Sequence, residues 1–164
     1  MRPPQRIEPW AMLVRKIAIW SMVVLILGSF ISAELVEINS NSNSSGGDQG
    51  DTLLLGLMIK EHVALTDGTR NPLYPALISV FAQRDLRYFT YAKFVSLAIG
   101  ILALLAVFLL GRRLYSDGPA LVAMFLLSIN SEFRWAASSV LAEVLLVLAF
   151  FMTWYFTAKG FEQW

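Results

Sequence analysis

YAKFVSLAIGILALLAVFLL, residues Tyr91 to Leu110, is a run of 20 residues whose only charge, Lys93, lies near its start. A hydrocarbon core about 30 Å thick is crossed by about 20 helical residues, so this run is long enough to span a bilayer as one helix. Arg112 and Arg113 follow at once, where a helix leaving lipid places its cations. Downstream, Asp117-Gly118-Pro119 turns the chain and opens a new helix with proline in its first turn. The apolar run it opens, Pro119 to Ile129, is short for a crossing unless Asn130 and Ser131 sit at the far surface. A further span is expected from Ala136 to Ala158, with Glu143 inside it and Trp154, Tyr155 and Lys159 at its exit. Upstream, Ile17 to Ile31 is apolar, with Arg15, Lys16 and Trp10 placed as surface anchors.

These runs divide the chain into a tail (1–15), a first span (16–33), a long loop (34–90), a second span (91–110), a third (118–133), a fourth (136–158) and an end segment (159–164). The expected fold is an all-α membrane protein with about four transmembrane helices and one or two short interfacial helices in the first loop. The first apolar run is read as an anchor rather than a cleaved signal, because Ile31-Ser32-Ala33 lacks a small residue three before a cut. Arg2, Arg6, Arg15, Lys16, Arg112, Arg113 and Lys159 all fall on one side if the N-terminus is cytoplasmic. The expected location is therefore a multi-pass protein of the plasma (inner) membrane, with the loop 34–90 on the outer face.

Composition agrees. Hydrophobic residues make up 57% and charged residues 15%, against roughly half and a quarter in soluble domains, and mean hydropathy is +0.60. A net charge of +1, without basic blocks beside exposed aromatics, argues against nucleic acid as a partner. Cysteine is absent, which excludes disulfides and thiolate metal sites. No cofactor is expected, and a divalent metal has no support in the sequence.

Within the loop, NSNSNSSGGDQG (39–50) is polar and low in complexity, too poor in apolar surface to order by itself. Residues 52–65 turn apolar over a length suited to an interfacial helix. Asp67-Gly68 is a turn signal, and Pro72 and Pro75 precede a second short helix, 76–82. Met1 to Gln5, with Arg2 and two prolines, read as a disordered tail.

Few residues invite chemistry. Asp48 and Asp51 follow the polar stretch; they are either a functional acidic pair or a solvated helix start with Asp51 or Thr52 as N-cap. Glu143 lies in apolar surroundings, where a carboxylate costs about 2.5–3.5 kcal/mol on insertion scales; it either lines a polar cavity or pairs with Arg134 or Lys93. Arg70, in DGTRNPLYP (67–75), has a guanidinium able to grip a phosphate through paired hydrogen bonds or to snorkel to lipid headgroups. His62 is the only histidine, and its neighbour Glu61 points elsewhere on a helix, so two of the ligands a metal site needs are lacking.

The order of these features resembles the N-terminal part of the GT-C glycosyltransferases, polytopic membrane enzymes, in particular the protein mannosyltransferase and aminoarabinose-transferase-like families. The resemblance rests on GDQ (47–49), DGTRNPLYPALISVFA (67–82), GRRLYSDGPALVAMFLLSIN (111–130) and SSVLAEVLLVL (138–148), and covers about 48–156. It implies transfer of a sugar from a polyprenyl-phosphate donor, the lipid-linked partner, to an acceptor at the outer membrane face. Asp48 would act as general base or acceptor-orienting group, Glu143 would line the same cavity, and Arg70 and Tyr74 would lie near the donor phosphate. The sequence departs from the pattern at Gln49, where a second acid is usual. Members of these families are much longer, which implies that this chain is a module incomplete on its own, with a second polypeptide completing the helical bundle as one expected partner.

Overall fold

The computed structural model describes residues 9–161. It contains seven helices: α1 Pro9–Ser40, α2 Gln49–Lys60, α3 Leu73–Ser79, α4 Leu86–Leu114, α5 Asp117–Ile129, α6 Ser131–Ser138 and α7 Glu143–Phe161. No strand occurs among the described residues, and the expected N-terminal tail, 1–5, lies outside them. The protein is an all-α membrane protein. Three helices, α1, α4 and α7, are long and apolar enough to cross a bilayer, not four. The 13 residues of α5 span only about 20 Å, because Asn130 ends it by accepting a 2.9 Å hydrogen bond from the Phe133 amide and so starts α6.

The run that opens the sequence is the centre of the bundle. α4 packs against α1, α5, α6 and α7, and α2 and α3 lie against its first turns. In its apolar window 56% of residues are buried, against 17% for α1 and 6% for α7. The outer two helices therefore present most of their apolar surface to lipid or to further helices. Two glycines let neighbours approach α4 closely. A Cβ on Gly100 would stand 3.0 Å from the Ala137 Cβ of α6, and one on Gly111 would stand 2.9 Å from the Ala120 Cα of α5. Gly111→Val should thus push α4 and α5 apart and cost about 1–3 kcal/mol by overpacking. Gly118→Ala, which meets nothing within 4 Å, should leave the melting temperature unchanged. Thermal unfolding in detergent compares the two.

α1 extends well past 16–33 at both ends. Its 32 residues measure about 48 Å, so turns project beyond the hydrocarbon. The C-terminal extension holds because Phe30, Glu34 and Ile38, four residues apart, form one buried stripe. Its last carbonyls are met from α4: the buried Lys93 ammonium donates to Ile38 O at 2.6 Å and Asn41 O at 2.7 Å, and sits over the Phe89 ring. A cation suits a helix C-terminus. Lys93 is accordingly not the partner of Glu143.

The expected span 136–158 is broken at residues 139–142, between α6 and α7. The Ser138 hydroxyl donates back to the carbonyls of Arg134 and Trp135, competing with helix propagation. Ser139 is extended (φ −116°, ψ 172°), and the Val140 amide turns away to the Gln49 side chain at 3.1 Å. Glu143 therefore lies in the first turn of α7, not inside a continuous span that starts at Ala136. There the helix dipole favours a carboxylate.

Charge separates along the bundle. At one end Asp117 receives Arg15 and Arg112, each at 2.9 Å, and Arg113 lies over the Tyr155 ring, which gathers the start of α1 with the ends of α4 and α7. At the opposite end lie the 41–48 loop, α2, α3 and the α6–α7 break.

Candidate functional site

Asp48 occupies the N-cap position of α2 without capping it: its side chain accepts no backbone N–H. The carboxylate is left to meet Arg70. One terminal nitrogen of that guanidinium donates to Asp48 Oδ1 at 3.0 Å and Asp51 Oδ2 at 2.7 Å; the other donates to Asp67 Oδ2 at 2.6 Å. Arg70 is held from below by its own turn. Asp67 Oδ1 accepts the amides of Thr69 at 3.0 Å and Arg70 at 2.8 Å, and Gly68 supplies the left-handed backbone (φ +81°) that the turn requires. The outer carboxylates stay accessible: the Asp48 side chain is 70% exposed and that of Asp51 62%, while the Arg70 side chain is only 26% exposed.

Asp48, Thr52, Arg70, Asn71 and Pro75 from the loop side, and Leu141 to Glu143 from the α6–α7 break, line one cavity of about 90 Å³. Residues far apart in the chain thus share a single small site. It is smaller than the roughly 300–1,000 Å³ of a typical small-molecule pocket, and suits one reacting group rather than a whole substrate. Glu143 is exposed and has no ion-pair partner among the described residues. Arg134, its other expected partner, pairs instead with Glu34 of α1 at 2.7 Å.

Two expected roles change. Both terminal nitrogens of Arg70 are taken by carboxylates, so it positions Asp48 instead of presenting a free fork to phosphate. Tyr74 does not face the cavity: it is buried, and its hydroxyl shares a 2.6 Å hydrogen bond with Ser96 of α4. Burial, with a smaller contribution from the Glu143 charge, pushes that hydroxyl up to about 12, so it stays neutral. Its neighbour Pro75 lines the cavity instead. His62 is the left-handed residue (φ 57°) that ends α2, with Val63 N bonded to Met58 O and His62 N to Ile59 O. Among the described residues no three His, Asp or Glu side chains are grouped to hold a metal ion.

Gln49 matters more than its sequence position suggested. Its Oε1 accepts from Val140 N at 3.1 Å and Asn41 Nδ2 at 3.5 Å, while Nε2 donates to the carbonyls of Asn43 and Gly46 at 3.4 and 3.2 Å. A carboxylate could not donate to those two carbonyls, which gives the amide its own reason to stand beside Asp48. This side chain ties the polar loop to the helix break, and so Asp48 to the strand of backbone that carries Glu143.

No known protein family, curated protein or solved structure matches this chain.

The Asp67 carboxyl is held well below its ordinary value of 3.8, first by the Thr69 and Arg70 amides and then by the guanidinium, while Arg70 is pushed up by its hydrogen bond to Asp67. A depressed acid stabilises the folded turn fully above the unfolded value, and that contribution is lost progressively as pH falls from there through the lower folded value. Hydrogen-exchange protection of the Thr69 and Arg70 amides should accordingly be constant above about pH 5 and decline below about pH 4. In Asp67→Asn the protection should be lower throughout and free of this pH step; a step that survives the substitution would assign it to another group.

Proposed function

We propose that the chain is the N-terminal module of a membrane glycosyltransferase that moves a sugar from a polyprenyl-phosphate donor to an acceptor at the outer membrane face, in a helical bundle completed by further helices or a second polypeptide. The supporting observation is the shared cavity: Asp48, Arg70 and Glu143, separated along the chain, line one space at the polar end of the bundle. In this reading the acceptor hydroxyl attacks the anomeric carbon and the carbon–oxygen bond to phosphate breaks. The acceptor proton passes to Asp48, and polyprenyl phosphate leaves. Arg70 aims Asp48 through its 3.0 Å hydrogen bond, and Glu143 closes the far wall. The basic end, with Arg15, Lys16, Arg112 and Arg113, is the cytoplasmic one.

A non-catalytic assembly or transport subunit is the alternative. It calls for a buried basic partner for Glu143 and a free Asp48, and neither arrangement occurs among the described residues. Membranes carrying the chain, supplied with polyprenyl-phosphate-linked sugar, test the choice. Transfer that depends on the chain and fails in Asp48→Asn supports the enzyme. Equal transfer by the two removes Asp48 from the mechanism.

A further inference from the structure

Beside the small site, on the other side of Asp48-Gln49, two cavities of about 480 and 260 Å³ adjoin and share Glu37, Trp135 and Ser138. The larger falls within the range of small-molecule sites. Trp135 is 55% exposed at their junction. That exposure is not failed packing, because α6 buries its opposite face through Phe133, stacked on Phe30 at 5.7 Å.

The groups around the indole are left with bonding capacity. The Arg134 Nε is fixed by Glu34 Oε1 at 2.7 Å, while its two terminal nitrogens have no partner among the described residues; the residue lines the smaller cavity. Glu34 is fully buried, and its second oxygen has no partner. The Glu37 carboxylate is exposed and unpaired among the described residues. Asn43 spends its carbonyl oxygen on Ser45, leaving its amide nitrogen, and Gln49 forms part of the floor.

We propose that this groove is a carbohydrate subsite, with a neutral sugar ring laid on the Trp135 indole and its hydroxyls met by Glu37, Arg134 and Asn43. A sugar has a face of polarised C–H bonds that suits the electron-rich face of an indole, and a rim of hydroxyls that both donate and accept. One carboxylate and one guanidinium supply both needs. Two carboxylates against one cation disfavour a free phosphate, which separates this groove from an anion site. Its role as the sugar end of a transfer site rests on the transferase reading; the binding itself does not. Gln49 lines the groove and its neighbour Asp48 lines the small cavity, so a ring held here lies next to the carboxylate.

The test uses the full chain in phosphatidylcholine nanodiscs with nitrogen-15-labelled indoles, titrated with methyl glycosides of hexoses and pentoses. A saturable shift of the Trp135 indole is expected, with Trp20 and Trp154 unmoved. Glu37→Gln should weaken the binding about tenfold. In Trp135→Ala, whose fold is checked by the unmoved Trp20 and Trp154 signals, line broadening of carbon-13-labelled glycoside should vanish; in Trp135→Phe it should persist. A Trp135 indole silent to every glycoside overturns the proposal. So does a shift produced equally by phosphatidylglycerol in the disc without sugar, which would assign the groove to a lipid headgroup. Sugar binding together with membrane transfer that is equal in wild type and Asp48→Asn would leave the subsite standing and remove Asp48 from the mechanism, whereas Asp48-dependent transfer with a silent Trp135 would do the reverse.

Discussion

Replacing Arg134 by Met is expected to lower the unfolding free energy by about 3–5 kcal/mol, the cost of leaving a buried carboxylate without its cation. Glu34 is fully buried and its Oε1 receives Arg134 Nε at 2.7 Å, while Oε2 has no partner among the described residues. The pair also joins α1 to α6, elements that otherwise meet through Phe30 and Phe133. With the guanidinium gone, the charge must be neutralised or hydrated, and either outcome loosens the seam beneath Trp135. Substituting both residues, Glu34→Met with Arg134→Met, should recover most of the loss, since a buried ion pair replaced by apolar groups of similar volume is often neutral or better. Chemical unfolding in detergent, on the two single variants and the double, reads the cycle. A single variant within about 1 kcal/mol of wild type would mean that water reaches Glu34.

Asp48→Asn should reduce chain-dependent sugar transfer by at least about a hundredfold, the usual worth of a positioned general base. The substitution preserves shape and a hydrogen-bond acceptor for Arg70 but removes the ability to take a proton at neutral pH. Asp51→Asn is the control. It takes a carboxylate from the same guanidinium, at 2.7 Å, yet Asp51 does not line the cavity. The two variants therefore disturb Arg70 alike and differ in what they do to the reacting space. Equal losses in both would make the cluster structural and leave no special part for Asp48.

Some of this architecture is legible from the chain. α4 announces itself because a 20-residue run with a single charge, Lys93 near its start, admits few alternatives to a buried helix, and proline near the start of α5 marks its entry. The α6–α7 break is not legible, since Ser138-Ser139 interrupts the helix only in company with Gln49, which claims the Val140 amide from 91 residues away. α1 overruns its expected end for a similar reason. Glu34 and Glu37 read as the edge of an apolar run, and only the distant Arg134 and Lys93 make those turns worth keeping helical. Asp48, Arg70 and Glu143 line one cavity through the fold, 22 and 95 residues separating Asp48 from the other two. That Arg70 would arrive with both terminal nitrogens already taken depends on the Asp67 turn, a local hydrogen-bond geometry that residue types alone do not specify.

Lys93 carries one more implication, for biogenesis. The carbonyls it satisfies belong to residues 55 and 52 positions earlier. A nascent chain that has released α1 but not yet α4 lacks this cation, and only local bonds such as those from Asn41 N and Ser40 Oγ to Glu37 O hold its last turn. Insertion of the central helix is thus the event that locks the first one, and with it the footing of the polar loop: the end of the molecule that carries Asp48 and Glu143 can only mature after its middle has entered the lipid.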